Sequence, residues 1–136
     1  MKGPLFAISL LLTSSCATTP APNISCTSWD ALFENPKAHI GEKVTLYGNF
    51  RAEFEVCSLT SKDGEHDVWI APSTRSGDLC SLEQATQRPI TGRATVVIGY
   101  FNYGGNYGHF GMYEAALGNA DILIRGSPCV DSSKTD

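Results

Sequence analysis

Most of the chain is built from short runs in which apolar and polar residues alternate, the period of strands that bury one face. Val44, Leu46 and Phe50 fall on one side of the first run and Thr45, Tyr47 and Arg51 on the other. A second strand spans about Glu53 to Thr60. It pairs through Ser61-Lys62-Asp63-Gly64-Glu65, where Asp-Gly is a hairpin signal, with a third at Val68-Trp69-Ile70-Ala71. Thr91 to Phe101 places Ala94, Val96, Ile98 and Tyr100 on one side and Thr95, Val97 and Phe101 on the other, a strand buried on much of both faces. Ala115 to Ile124 forms a last strand or strand pair, broken near Gly118-Asn119. Before the first strand, Trp29, Leu32 and Phe33 recur at helical spacing after a Thr27 or Ser28 cap, and Pro36 closes that helix. Pro72 to Pro89 holds a further helical turn, Ser81 to Ala85, ahead of strand four. Short strands in this number predict a small closed or nearly closed all-β barrel, with Gly48 at a bulge or coil where the sheet curves.

The ends follow a different pattern. Met1-Lys2, the apolar run Leu5 to Leu12 and the small residues Thr13 to Ala17 have the order of an export signal, too short for an ordinary spanning helix. Leu12 to Cys16 resembles the lipobox of bacterial lipoproteins, with Leu12 one place early, and the resemblance makes Cys16 the acylated first residue of the mature chain. Ordinary cleavage around Ala17 is the alternative. The division is therefore residues 1–17 as signal, 18–26 as polar tether, 27–126 as barrel domain and 127–136 as polar tail.

Either processing route leaves Cys26, Cys57, Cys80 and Cys129, an even set in an exported chain, which favours disulfides over a metal site. Four cysteines allow three pairings, and because chain ends often lie close together in compact domains the preferred one is Cys26–Cys129 with Cys57–Cys80. The formal charge of −4, with no Lys/Arg cluster, gives no footprint for a phosphate backbone and argues against nucleic-acid binding.

Asn35-Pro36, Gly41 to Gly48, Trp69-Ile70, Gly92 to Val96 and Gly108-His109-Phe110-Gly111-Met112-Tyr113 together resemble a group of small bacterial OB-fold-like domains of exported proteins and lipoproteins. The resemblance runs from Trp29 to Ile124 and implies a five-stranded OB-like barrel. It brings no catalytic residues.

Candidate chemistry is sparse. No nucleophile elbow, phosphate-binding loop or zinc-protease helix occurs, and no cofactor is implied. Tyr with Gly and Asn is the composition of adaptable recognition loops, which makes Asn102 to Tyr107 and the following turn the candidate binding element, with Tyr103, Tyr107, His109, Phe110 and Tyr113 as its residues. The competing reading folds those tyrosines back on the barrel. Three functions are compatible with these features. The first is a non-enzymatic, envelope-tethered binding or accessory module for an envelope protein or glycan, held at the membrane by its lipid anchor. The second is a periplasmic inhibitor of a hydrolase such as lysozyme, since Ser76-Gly77 resembles the Ser-Gly loop of lysozyme inhibitors without its tyrosine. The third is a hydrolase using Glu53 or Glu55 with His109. Trp29 is expected to anchor the core, and His39 and His66 to be solvated.

Overall fold

A computed structural model describes residues 24–53, 55–81, 92–123 and 129. The signal, most of the tether and Cys16 lie outside these residues, as do residues 82–91 and with them nearly all of the turn expected at Ser81 to Ala85.

Five strands close into a barrel in the order β1-β2-β3-β5-β4, numbered along the chain. They are β1 (Lys43–Glu53), β2 (Val56–Thr60), β3 (Asp67–Pro72), β4 (Ala94–Tyr107) and β5 (Tyr113–Leu123). All pairings are antiparallel except β3 with β5, which run parallel. This is the small all-β barrel expected from the alternation, in the OB-like form that the resemblance implied, with a short helix α1 (Trp29–Glu34) ahead of it and a 3-10 turn, Gly77–Cys80, before strand four.

On β1 and β4 the inward residues share the faces that the period marked out, while on β2 they are Cys57 and Leu59, out of phase with an alternation that sets Val56 opposite Glu53 and Glu55. Val44, Leu46, Phe50, Leu59, Val68, Ile70, Val97, Phe101 and Leu117 form one core. Val96 and Thr95 are buried as well, so this part of β4 is covered on both sides, although Tyr100 emerges into solvent. Gly48 lies in β1 without a shift of register. It occupies the point where β1 finishes its pairing with β4, at Asn49↔Ala94, and begins pairing with β2, at Asn49↔Thr60.

Helix α1 is capped by Ser28, whose hydroxyl accepts from the Ala31 N–H, and Pro36 opens a following 3-10 turn, Pro36–His39. Thr27 instead pairs with β1, donating its N–H to the Thr45 carbonyl at 2.7 Å and accepting the Thr45 N–H on its hydroxyl. Leu32 enters the core, and Trp29 and Phe33 pack against it. The Trp29 indole N–H donates to the Tyr47 carbonyl at 2.8 Å, which makes this residue an anchor, as its spacing suggested. His66 is less solvated than its polar neighbours implied, because Phe33 stacks on it with ring centroids 4.4 Å apart. His39 meets Glu42 at 2.8 Å.

The Ser61–Glu65 hairpin forms around Gly64 at φ 80°, with the Ser61 N–H donating to the His66 carbonyl. Donation from the Ser61 hydroxyl and then from the Glu65 N–H holds the Asp63 carboxyl below its usual range. Disulfides join Cys26 to Cys129 and Cys57 to Cys80, the expected pairing, and point to an oxidising, non-cytoplasmic location. No helix among the described residues is long and apolar enough to cross a membrane.

Candidate functional site

Three strand boundaries differ from the sequence reading, and all three bear on the site. Glu53 ends β1 instead of opening β2, because the chain reverses between Glu53 and Val56, which pair directly. Glu55 takes φ 57° in that turn. Next, Asn102 to Tyr107 is strand: β4 continues to Tyr107 and absorbs its glycines in a register shift between Tyr103 and Tyr107. Finally, β5 starts at Tyr113, so the β4–β5 turn is confined to Gly108 through Met112.

These changes redistribute the candidate binding residues. Tyr103 packs edge-on to Phe33 and beside Phe101, and its hydroxyl donates to Glu114 at 3.3 Å. The Glu114 charge, then burial, raise the Tyr103 phenol above its ordinary value. Tyr107 lies back over Gly105, where an added Cβ would stand 2.6 Å from the phenol ring. Tyr113 is only 9% exposed. The tyrosines therefore brace the hairpin, and the residues presented at its tip are His109, Phe110 and Met112. Phe110 is 85% exposed and Met112 76%. Met112 had no aromatic or polar signature to single it out; only its place beside Phe110 at a turn makes it part of a surface.

The tip is held firmly from below. On β3, Val68 and Ile70 are buried in the core, and Trp69 between them is partly buried. Gly108, at φ 73°, lies so close to the Trp69 indole that a Cβ there would come within 2.6 Å of Cε3 and 2.9 Å of Tyr113 Cδ2. Trp69 and Tyr113 themselves pack with ring centroids 5.6 Å apart. Ser58, paired directly with Trp69, is 2% exposed although its neighbours Cys57 and Leu59 are the core residues of β2. The outer face of β2 and β3 is thus covered at its centre.

A second attachment comes from the β1–β2 turn. His109 Nε2 and Glu55 Oε2 are 2.9 Å apart, joining the two turns across the surface. His109 also meets the Phe110 ring edge-on, with centroids 3.8 Å apart. Phe110 is placed at φ 58°, a left-handed backbone uncommon for a bulky residue, between Gly108 and Gly111, which also have positive φ. Tertiary contacts on both sides sustain that geometry.

Between the turns lies a cleft of about 310 Å³ lined by Arg51, Glu55, Val56, His109, Phe110, Met112 and Tyr113. Arg51 donates to Glu53 at 2.9 Å, which raises the guanidinium and lowers the Glu53 carboxyl. The two glutamates considered as partners of His109 are therefore separated: Glu55 reaches it, and Glu53 is held by Arg51. Of the residues considered for a hydrolase, Glu55 and His109 line this cleft, together with Tyr113. A second pocket of about 300 Å³ near α1 contains Trp29, Tyr47 and Lys62. There Lys62 donates to Asn49 and lies over the Tyr47 ring, and Trp29 bonds to the Tyr47 carbonyl.

Comparison with protein-family models, with curated proteins and with solved structures gives no match to this chain. Ser76, which carried the resemblance to inhibitor loops, is 5% exposed and accepts the Ile122 N–H on its hydroxyl at 3.0 Å. It fixes the segment after β3 to β5 and does not project.

Replacing Gly108 with Ala tests the support of the tip. The added methyl must displace the turn from Trp69 while also taking an unfavourable φ. The expected result is a loss of about 1–3 kcal/mol in urea unfolding, a shift in Trp69 emission and faster amide exchange at His109 and Phe110. An unchanged emission spectrum would show that the turn does not depend on this contact.

Proposed function

We propose that this chain is a non-enzymatic binding module of the bacterial envelope, tethered through a lipid on Cys16, whose contact element is the β4–β5 turn. The observation that carries the reading is Phe110, presented at 85% exposure on a turn clamped by Trp69 and Glu55. A large apolar side chain held out by a pre-formed backbone loses little entropy on burial in a partner, the pattern of an interface anchor. OB folds commonly bind ligands across strands two and three. Here Gly108 and Tyr113 occupy part of that face, so contact is assigned to the tip above it.

The test couples wild-type protein and Phe110→Ser to a resin and compares what each retains from envelope extract. The reading expects a protein or glycan held by wild type and weakened about tenfold or more by Phe110→Ser. Equal retention by both would reject it. Intact mass from the native membrane fraction checks the tether: an acyl adduct on a chain starting at Cys16 supports it, and an unmodified chain starting near Thr18 removes it.

The same projecting Phe110 favours a second reading, insertion into the substrate cleft of a hydrolase. Slowing of lysozyme by excess wild-type protein but not by Phe110→Ser would select inhibition over tethering of a partner.

A further inference from the structure

We propose that Met112 is an oxidation site that switches the apolar tip to a polar one. The chain contains two methionines, Met1 and Met112. Met112 is 76% exposed, and it lines the cleft beside Phe110. Its thioether is open to small oxidants, and the disulfides point to an oxidising location.

The step balances with hydrogen peroxide as oxidant. A lone pair on Met112 Sδ attacks a peroxide oxygen; the S–O bond forms as the O–O bond breaks. Sulfur is oxidised to the sulfoxide, and the departing hydroxide takes the proton of the transferred oxygen and leaves as water. The product is a strong hydrogen-bond acceptor in place of a soft apolar atom, and enzymatic reduction of sulfoxides makes the change reversible. Arg51 and His109 line the same cleft, so donor groups that can meet a sulfoxide oxygen are already present. Oxidation then draws Met112 toward the cleft and removes its share of the surface next to Phe110. The consequence for a partner rests on the binding role assigned to this turn; the chemical switch does not.

The experiment treats the folded full chain with dilute hydrogen peroxide and follows peptide mass and retention on a phenyl resin, with Met112→Leu in parallel. Met112 is expected to gain one oxygen at a rate within about threefold of free methionine, with retention falling in step, while Met112→Leu shows no gain in that peptide and constant retention. A rate far below free methionine, or oxidation without change in retention, overturns the proposal. Retention that falls while neither form holds an envelope partner leaves the switch standing and rejects the binding role instead.

Discussion

Removing the Cys26–Cys129 disulfide by a double Cys→Ala substitution is expected to lower stability by about 3–5 kcal/mol. The bond closes a loop with a sequence separation of 103, and its Cα atoms lie 5.4 Å apart. Its main effect falls on the unfolded chain, which loses more freedom the longer the closed loop. The folded chain keeps other attachments at this end: Thr27 pairs with Thr45, and Trp29 bonds to the Tyr47 carbonyl. The variant should therefore retain the barrel's circular dichroism at low temperature and unfold at a much lower urea midpoint. The Cys57–Cys80 bond has a separation of 23 and on the same reasoning restricts the unfolded chain about 1 kcal/mol less. An unchanged urea midpoint in the Cys26/Cys129 variant would contradict this account.

The second large effect is expected at Gly48. A Cβ there would overlap the Thr60 carbonyl oxygen and stand 3.1 Å from its carbon and 3.2 Å from Leu59 Cγ. The first obstacles are backbone atoms, which no side-chain rotation can move. They belong to the end of β2, where its pairing with β1 begins. Gly48→Ala must therefore open the Asn49↔Thr60 end of the ladder or flatten β1 as it turns from β4 to β2. A loss of about 2–4 kcal/mol is expected, more for Val than for Ala, with amide exchange rising first in β2. Wild-type unfolding of Gly48→Ala would mean that the strands separate there at no cost.

Gly48 also illustrates what could be read before the fold was known. A glycine inside an alternating run marked a place where the sheet curves, but nothing local distinguished an extra residue from close approach of a neighbouring strand. The structure selects close approach. The β1–β2 turn was less legible still: Phe54-Glu55 lacks the Gly, Asn or Pro that usually punctuates a reversal, and alternation continued through it. On the other side of the site, the glycines of Asn102 to Tyr107 suggested a loop, whereas pairing with β5 carries β4 through them. Glu55 and His109 were both noticed, but their contact spans residues that only closure of the barrel brings together.

The sequence by itself determined the all-β architecture, the buried faces of β1 and β4, the leading helix and an even cysteine set, for which it favoured without fixing the pairing that the structure has. These follow from period, capping chemistry and the even cysteine set, all expressed over short stretches or in simple counts. Tertiary structure alone decided which large side chains of this hairpin face solvent: Tyr103, Tyr107 and Tyr113 fold back, while Phe110 and Met112 stand out. The physical reason is that exposure at the tip depends on what lies beneath it. Gly108 rests on Trp69 and His109 reaches Glu55, contacts between strands and turns distant in sequence that no local pattern encodes.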